Sequence, residues 1–260
     1  MAGGLHARGD RVELLATDGG RDDKRETSRR RGAGEENVVT GGERFRDRRD
    51  AGRRLAARLS SYARRPGMLV LALPRGGVPV GFEVACALPA ELDVFLVRKL
   101  GVPGQEELAM GAIASGGVRV LNARVVEDLA IPGEVVDDVS ARALAELARR
   151  ERLYRGAVPP AVVAGRTAII VDDGLATGAT MRVAATAVRA LSPARLIAAA
   201  PVAARGACEE IRPLVDEVIC LVTPDSFTAV GMWYADFPQT DDEEVARLLT
   251  EAARFRQPAA

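Results

Sequence analysis

The sequence predicts an α/β fold, with a mainly parallel twisted sheet and helices on both of its faces. Between about residue 68 and residue 222, short apolar runs rich in β-branched residues alternate with longer segments of helical periodicity. The runs are apolar at nearly every position, which is typical of parallel strands that are covered on both faces. Turns of small residues follow several of the runs. Because α/β sheets bind ligands at the carboxyl ends of their strands, we expect a binding site at that edge.

The first helix is predicted to begin near Phe45. Leu55 and Leu59 recur there at helical spacing, while arginines and aspartates fill the opposite face. Pro66-Gly67 ends this helix, because neither residue continues a helical pattern well.

A continuous apolar stretch over 68–73 predicts the first core strand. The turn over 74–77 then leads into a helix over 78–88, and a second strand is predicted over 93–97. Residues 99–117 contain five glycines and show no clear periodicity, so we predict a long loop there.

The second half of the chain alternates more regularly. A short strand over 118–121 precedes a short helix that Asn122 is expected to cap, and a long helix over 132–155 carries charges at its outer positions. The remaining elements are predicted strands over 167–171, 196–202 and 217–222, helices over 181–191 and 206–215, and a terminal helix that Asp241, or Thr240 as its N-cap, opens and that continues to about residue 254.

Residues 1–42 differ from the rest of the chain in composition. They are rich in Gly, Arg, Asp and Glu and poor in large apolar side chains. Such a segment cannot bury enough apolar surface to offset its chain entropy, so we interpret it as a disordered N-terminal extension, with translation from a misplaced start as the alternative. The predicted core spans 43–223, and 224–257 holds an irregular aromatic segment and the terminal helix.

Composition excludes several classes of function. The formal net charge is zero, so no global charge favours a nucleic-acid partner. The only histidine is His6, in the predicted extension. The folded part therefore lacks the histidine that Ser-His-Asp hydrolysis, Cys-His proteolysis and histidine-rich zinc sites need.

The cysteines and the hydropathy pattern bear on the compartment. Cys86, Cys208 and Cys220 form no CxxC pair, and we interpret them as buried thiols in a reducing compartment. No apolar run approaches the roughly 20 residues of a membrane span, and no charged-then-apolar signal pattern opens the chain. We therefore expect a cytoplasmic protein without a membrane or nucleic-acid partner.

The most informative stretch covers residues 169–180. An apolar run ends in two adjacent carboxylates, Asp172 and Asp173, and a loop of small residues leads from them into a helix. Such a loop, ending at a helix N-terminus, suits a phosphate group, which Gly178 would allow to approach closely. It is not a Walker loop, because Ala179 stands at the lysine position.

The two carboxylates need a different target, because they would repel a phosphate. A sugar diol or a metal ion is the natural target for Asp172 and Asp173. A phosphorylated ribose is one ligand that carries a phosphate, a diol and a metal ion together. The alternative is an ordinary β-to-α turn without a ligand.

The segment VDDGLATGAT over 171–180 resembles the 5-phosphoribosyl-1-pyrophosphate (PRPP) binding motif of type I phosphoribosyltransferases. The resemblance extends over roughly 45–240 and is closest to bacterial members with PRGG and RKLG segments. It implies the type I phosphoribosyltransferase fold with a small C-terminal hood, and it places Asp172 and Asp173 on the ribose hydroxyls. The 5-phosphate would be bound by Gly174, Ala176, Thr177, Gly178, Ala179 and Thr180.

The turn Pro74-Arg75-Gly76-Gly77 follows the first core strand. It does not match the dinucleotide-binding pattern G-x-G-x-x-G, because Val78 stands where the second glycine is needed. In the family that the chain resembles, the equivalent loop binds pyrophosphate through backbone N–H groups and often contains a cis peptide bond. Arg75 would add positive charge. A plain tight turn with a surface arginine is the alternative.

Arg98-Lys99-Leu100-Gly101 resembles the RK-x-G segment that opens the flexible catalytic loop of adenine phosphoribosyltransferases. The resemblance implies a mobile lid that excludes water, with Lys99 or Arg98 neutralising the leaving pyrophosphate. Lys99 is the only lysine outside the predicted extension. The alternative for Lys99 is a lysine on a solvated loop. The nearby Glu106 and Glu107 are either solvated loop charges or acid–base groups for the acceptor.

Phe227, Trp233, Tyr234 and Phe237 crowd the last irregular segment. Such aromatic residues most often belong to a core. In the family that the chain resembles, however, this segment forms part of a hood over the acceptor base. Phe227 or Trp233 would then stack on a flat heterocycle.

The reaction that the resemblance implies is transfer of 5-phosphoribose from PRPP to an acceptor nitrogen, with release of pyrophosphate, as in nucleotide metabolism. Mg²⁺ would be bound mainly by PRPP oxygens, with Asp172 and Asp173 acting on it indirectly. The same carboxylates would stabilise an oxocarbenium-like ribose, while Arg75, Gly76 and Lys99 would stabilise the leaving group.

Ala176 leaves the acceptor open. Hypoxanthine-guanine enzymes carry an aspartate at this position, whereas adenine enzymes carry alanine but resemble the chain little elsewhere. A nucleobase or a related nitrogen heterocycle is the expected acceptor, and a homodimer is one assembly that we keep open. The alternatives on the same fold are a non-catalytic PRPP or nucleotide sensor, a scaffold without ligand, and a hydrolase of ribosyl phosphates.

Overall fold

The computed structural model describes residues 6–7, 12–16 and 44–253. In chain order the strands are β1 His6–Ala7, β2 Val12–Ala16, β3 Met68–Ala72, β4 Glu91–Val94, β5 Val97–Val102, β6 Gln105–Ala114, β7 Arg119–Asn122, β8 Thr167–Val171, β9 Arg195–Val202 and β10 Glu217–Val222. The helices are α1 Arg48–Arg58, α2 Gly77–Ala87, α3 Ala123–Asp128, α4 Gly133–Arg155, α5 Ala179–Ala190, α6 Arg205–Ile211 and α7 Asp242–Ala252. Short 3-10 turns cover Ser60–Tyr62, Ser115–Gly117, Arg212–Leu214 and Val230–Trp233.

A parallel sheet of five strands forms the centre of the fold, in the order β10-β9-β8-β3-β4. Successive residues of β3 point to opposite faces, as the pleat requires. Val70 packs with Leu55 of α1 on one face, while Leu71 packs with Met181 of α5 on the other. Residues of α1, α2, α4 and α7 build the core on the first face, and residues of α5 and α6 build it on the second. The predicted α/β class, with helices on both faces, is confirmed.

The sheet register places three connecting segments at one edge. Ala72 of β3 pairs with Val171 of β8, so these neighbouring strands end side by side. β4 flanks β3 on its other side, with Val94 also opposite Ala72. The turn after β3, the segment after β4 and the loop after β8 therefore start next to one another, as the strand pattern predicted.

A second, mostly antiparallel sheet replaces the long loop predicted over 99–117. Its order is β1-β2-β7-β6-β5, with β5 antiparallel to β6 and β6 antiparallel to β7. The single strand predicted over 93–97 is also wrong, because β4 ends at Val94 and β5 begins at Val97.

The glycines of this region explain the wrong prediction. A Cβ atom on Gly101 would lie 2.6 Å from the carbonyl oxygen of Glu106, and one on Gly111 would lie 2.5 Å from that of Val120. These glycines therefore permit close approach of paired strands, and the pairing shifts register on both sides of Gly101. Glycines needed for strand contact look the same in the sequence as glycines of a loop.

Disorder was predicted for residues 1–42, but the structure describes two strands there. β2 pairs in parallel with β7, and Leu14 lies opposite Val120. The local pattern Val-Glu-Leu-Leu-Ala over 12–16 is apolar enough for a strand, and an average over the whole segment hides it. The other residues of the predicted extension lie outside the described ones.

Two predicted helix caps can be compared with the structure. The side chain of Asn122 accepts a hydrogen bond from the Val125 N–H at 3.3 Å, so Asn122 caps α3 as predicted. The carboxylate of Asp241 accepts from the Glu244 N–H at 2.7 Å, so Asp241 rather than Thr240 is the N-cap of α7.

The three cysteines are free thiols. Cys208 is buried, whereas Cys86 and Cys220 are half-buried. The sulfur atoms of Cys208 and Cys220 lie 3.4 Å apart, a contact that their sequence spacing does not predict. Within the part of the chain that the structure describes, no helix combines the length and the hydrophobicity that a bilayer crossing requires.

Candidate active site

The acid pair lies directly beyond the end of β8. The Asp172 N–H donates to the Ala199 carbonyl at 3.3 Å, which continues the pairing of β8 with β9 by one residue. The Asp172 carboxylate accepts a hydrogen bond from the Asp173 N–H at 2.9 Å, and both side chains are half-buried. The two carboxylates are thus fixed by the strand end, not by a free loop.

The environment of the pair changes the ionisation of Asp172. Burial and, after it, the negative charge of Asp173 raise the pKa of Asp172 well above its ordinary value. The hydrogen bond from the Asp173 N–H and the charge of Arg48 oppose this rise. A carboxyl group in this setting holds its proton more strongly than an exposed aspartate does.

The turn at 74–77 packs directly against the acid pair. A Cβ atom on Gly76 would lie 2.0 Å from Asp173 Oδ2, and one on Gly77 would lie 2.7 Å from the Val171 carbonyl and 3.2 Å from Asp172 Oδ1. Any side chain at either glycine would collide with the end of β8. The turn and the acid pair therefore form one continuous surface, and this explains why two glycines follow each other.

The peptide bond between Pro74 and Arg75 is cis, as the resemblance implied. The Arg75 side chain is half-buried and its guanidinium lies 3.9 Å from the carboxylate of Asp242, in the first turn of α7. That carboxylate also accepts a hydrogen bond from the Tyr154 hydroxyl at 2.7 Å. Arg75 thus starts in the turn, as predicted, but its side chain is paired with the C-terminal helix.

The small-residue loop after the acid pair is anchored by Leu175. This side chain is buried, its N–H donates to the Val202 carbonyl at 2.9 Å, and its carbonyl accepts from Ala204 at 2.8 Å. Around this anchor the loop residues predicted to bind the 5-phosphate are mostly exposed: Ala176, Thr177, Ala179 and Thr180 are exposed, Gly174 is half-buried and Gly178 is buried. The loop ends at the N-terminus of α5, whose first N–H groups have no partner within the helix.

Gly178 has a structural role of its own. Its backbone is left-handed, with φ of 69°, and a Cβ atom would lie 3.1 Å from the Cβ of Ala207 in α6. The glycine therefore allows the loop to turn into α5 while it packs on α6. The Thr177 hydroxyl accepts from the Ala179 N–H at 3.3 Å, which helps to fix the loop.

A small cavity of about 70 Å³ lies where the turn after β3, the segment after β4 and the first turn of α5 meet. It is lined by Leu73, Pro74, Phe95, Leu96, Val97, Arg98, Leu147, Arg150 and Thr180. Arg98 and Arg150 bring positive charge to this lining and Thr180 brings a hydroxyl, a combination that suits an anionic ligand, although Arg150 Nε also bonds to Glu146 at 3.3 Å. Arg98 was predicted to bind pyrophosphate, and Arg150 of α4 was not singled out, because its helical pattern looks like that of any charged outer face.

Lys99 lies elsewhere. Side chains alternate along a strand, so Lys99 and Arg98 of β5 point to opposite faces. The Lys99 ammonium group donates to the Glu107 carbonyl at 3.0 Å and lies 3.4 Å from the Glu107 carboxylate. Lys99 does not contribute to the lining of the cavity, and it sits on a paired β-ribbon instead of the predicted mobile loop.

Arg48 and Tyr234 touch the acid pair, and neither was predicted to do so. The Arg48 Nε lies 2.8 Å from Asp173 Oδ2, and the Tyr234 hydroxyl donates to the Asp173 carbonyl. Burial and the nearby Asp173 charge raise the pKa of this tyrosine, so it remains a donor. The aromatic crowding of 227–237 was a signal for Tyr234, but nothing distinguishes Arg48 among its neighbouring arginines.

The two aromatic residues predicted to contact an acceptor are half-buried. Phe227 and Trp233 pack against a small cluster that contains Phe45 and Tyr234. Phe237 is 36% exposed and lies under the Arg48 guanidinium, 3.7 Å from its ring centre. The segment thus packs beside the acid pair, where a hood was expected.

The carboxylates do not form a metal cage. Among residues 44–253 and the two N-terminal strands, no cluster of three or more His, Cys, Asp or Glu side chains could hold a metal ion. Asp172 and Asp173 supply hard oxygen donors, so they fit a Mg²⁺ ion whose remaining ligands come from a bound substrate.

Comparisons with known proteins identify similar chains. A family model described as "Phosphoribosyl transferase domain" matches residues 43–236. Two curated relatives from Mycobacterium tuberculosis, named "Putative phosphoribosyl transferase Rv0571c" in strain H37Rv and "Putative phosphoribosyl transferase MT0597" in strain CDC 1551, are each 47% identical over 210 residues. The match covers 81% of this chain and 47% of each relative, so the chain spans about half their length.

A solved structure is similar to this chain in both sequence and fold. The crystal structure of the protein TT1426 from Thermus thermophilus is 42% identical in sequence and superimposes with a TM-score of 0.72. The match covers 80% of this chain and 98% of that one.

Proposed function

Since the chain belongs to the phosphoribosyl transferase domain family, we propose that it binds Mg-PRPP and transfers 5-phosphoribose to an acceptor nitrogen, with release of pyrophosphate. The acceptor class that we propose is a nucleobase or related nitrogen heterocycle, which places the reaction in nucleotide metabolism. A cytoplasmic location belongs to the same proposal.

One observation carries this proposal above the others: Gly76 and Gly77 are in contact with the carboxylates of Asp173 and Asp172. The Gly77 N–H already donates to the Leu73 carbonyl at 3.0 Å, so the turn can offer the Arg75 and Gly76 N–H groups to an anion, and the acid pair can accept from hydroxyls. In PRPP the pyrophosphate on ribose C1 lies next to the 2- and 3-hydroxyls. The surface formed by the turn and the acid pair therefore matches the order of the pyrophosphate and the hydroxyl groups along one edge of PRPP.

The other end of the ribose carries the 5-phosphate. The exposed loop residues around Thr177 and the N-terminus of α5 support an anion site there, because free N–H groups and the helix dipole both favour negative charge. Thr180, in the first turn of α5, also lines the cavity with Arg98 and Arg150. One ligand could then extend from the loop across the acid pair to the turn.

The bond changes follow from this placement. The bond from C1 to the pyrophosphate oxygen breaks with its electron pair leaving on pyrophosphate, and a C1–N bond forms to the acceptor, whose proton passes to the departing pyrophosphate. Positive charge develops on the ribose, so the Asp173 carboxylate stabilises it, and Asp172 does so in its ionised form. The turn N–H groups and Arg98 stabilise the departing charge. Mg²⁺, when bound, neutralises part of the charge of the pyrophosphate.

A non-catalytic PRPP or nucleotide sensor is the second candidate, and the position of Lys99 favours it. A lysine expected to neutralise the leaving group is instead paired with Glu107 on a β-ribbon. An enzyme would then depend on Arg98 and Arg150 for positive charge, or the ribbon would have to rearrange.

Pyrophosphate release from Mg-PRPP, measured across a panel of nucleobases, tests the proposal. We expect release with at least one base, reduced about 10²–10³-fold in Asp173→Asn, because one preorganised electrostatic contact is typically worth that much. Calorimetric binding of Mg-PRPP without release would support the sensor. Absence of both binding and release would refute enzyme and sensor alike.

A further inference from the structure

A largely enclosed arginine contacts the acid pair. Arg48 occupies the first position of α1, and its side chain is only 11% exposed, while that of Asp173 is 14% exposed. The Arg48 Nε and Asp173 Oδ2 are 2.8 Å apart. Removing two charges from solvent costs desolvation energy, so this ion pair is weak evidence of a role in stability alone.

The contact fixes one oxygen of Asp173. Oδ2 bonds to Arg48 and packs against Gly76, where a Cβ atom would be 2.0 Å from this oxygen. Oδ1 lies farther from that glycine, at 3.2 Å from the same Cβ position. Since Arg48 bonds to Oδ2, Oδ1 is the oxygen left to accept from a hydroxyl group of a ligand.

Arg48 itself is held from other directions. One terminal nitrogen donates to the Pro238 carbonyl, and the guanidinium stacks 3.7 Å from the centre of the Phe237 ring. This part of the chain is also bonded to the segment before α1. The Phe45 N–H donates to the Trp233 carbonyl at 2.9 Å, and the Phe45 carbonyl accepts from the Ala235 N–H at 2.8 Å. The guanidinium therefore has little freedom to swing away from Asp173.

We propose that Arg48 is a positioning residue, which orients the Asp173 carboxylate so that Oδ1 meets a ribose hydroxyl of PRPP. This role rests on the proposed function, because it presumes that the ligand is PRPP. Arg48 does not touch the ligand in this proposal and acts only through Asp173.

The geometry requires an arginine. Its planar fork bonds to Asp173 and Pro238 from different nitrogens while its face lies on Phe237. A lysine has a single ammonium group and no flat face, so it could keep the charge but not all three contacts. Arg48→Lys is therefore expected to preserve the fold and lose part of the orientation.

Calorimetric titration with Mg-PRPP tests the role without an acceptor. We expect Arg48→Met to weaken binding about 10- to 100-fold, the usual range for a lost hydrogen bond to a charged group, and Arg48→Lys to weaken it less. Phe237→Leu removes the stacking face but keeps the arginine, and a loss of about 2- to 10-fold is expected. Arg53→Met is the matched control, because Arg53 lies on the same helix and pairs with Glu83 instead.

A double-mutant cycle separates positioning from general damage. If Arg48 acts through Asp173, Arg48→Met should weaken binding no more than about 2-fold further in an Asp173→Asn background. Equal losses in both backgrounds would overturn the positioning role, as would wild-type affinity in folded Arg48→Met. If Arg48→Met fails to fold, the same comparison is made with Arg48→Lys and Phe237→Leu, and unchanged affinity in both overturns the role. Wild-type protein that does not bind Mg-PRPP would refute the proposed function, and this role with it.

Discussion

Gly76 and Asp173 are so close that a side chain cannot fit between them. The Cβ atom of any other residue at position 76 would lie 2.0 Å from Asp173 Oδ2 and 2.6 Å from the carboxyl carbon. The carboxylate cannot easily move aside, because Arg48 holds the same oxygen at 2.8 Å. The turn after β3 and the acid pair after β8 are therefore fixed relative to each other.

Gly76→Ala should consequently damage the site more than the fold. We expect a loss of about 1–3 kcal/mol in unfolding free energy from overpacking, and a loss of about 10²-fold in pyrophosphate release or Mg-PRPP affinity from displacement of Asp173. Thermal unfolding and calorimetry measure the two effects. Gly133→Ala at the start of α4 is the matched control, because within the described part of the chain no atom beyond its chain neighbours and its own helix backbone lies within 4 Å of its Cβ position. Equal behaviour of the two variants would contradict the packing argument.

Replacing the two aspartates by asparagine should have opposite effects on stability. Asp172→Asn removes a carboxyl group whose pKa is raised by burial and by the charge of Asp173, so the folded protein should become more stable at neutral pH. Asp173→Asn leaves the buried Arg48 charge without its anion, at a cost on the order of 1–3 kcal/mol. Both changes should impair ligand binding. A destabilised Asp172→Asn protein at pH 7 would contradict the raised pKa.

The gain in Asp172→Asn should depend on pH in a defined direction. The pKa of Asp172 is higher in the folded state than in the unfolded state, where it is about 3.9. The protonated group therefore favours folding at pH values below the unfolded-state pKa, and this contribution is lost as the pH rises through the folded-state pKa. The difference in Tm between variant and wild type should therefore grow from acid to neutral pH. A gain of 1 kcal/mol would appear as about 2–4 °C for a domain of this size.

Leu175→Ala should loosen the small-residue loop after β8, which we propose binds the 5-phosphate. The side chain is 2% exposed, and its backbone bonds to Val202 and Ala204 hold the loop against β9. Removing a buried leucine side chain costs about 2–5 kcal/mol, and we expect a lower Tm together with weaker Mg-PRPP binding. Val162→Ala, at a side chain that is 70% exposed, should change neither. Full affinity in Leu175→Ala would show that the loop does not depend on this anchor.

Local patterns predicted the central sheet and the acid pair. The runs over 167–171 and 196–202 are apolar throughout most of their length and match β8 and β9 to within one residue, because a strand buried on both faces needs little but apolar residues. Asp172 and Asp173 follow such a run directly, so their place at the strand end could be predicted from their neighbours in the chain.

Contacts between distant residues could not be predicted in this way. Arg48 and Asp173 are 125 positions apart, and an arginine-rich helix start carries no mark of which guanidinium turns inwards. The ribbon of β5 and β6 was hidden for a related reason. Whether Gly101 serves a loop or a close strand contact depends on Glu106 across the ribbon, which local periodicity does not reveal.

Arg98 and Lys99 should contribute unequally to Mg-PRPP binding, although they are neighbours in the sequence. Arg98 lines the cavity together with Arg150 and Thr180, whereas Lys99 binds Glu107 on the other face of β5. Arg98→Met should therefore weaken Mg-PRPP binding about 10-fold or more, since a charge-assisted bond to phosphate would be lost, and Lys99→Met should change it less than about 3-fold. Glu107→Gln serves as the control, because it removes the carboxylate charge beside Lys99 and keeps the backbone carbonyl to which Lys99 donates. If instead Lys99→Met alone abolishes pyrophosphate release while affinity is kept, the ribbon must rearrange during turnover, and the sensor interpretation loses the observation that favours it.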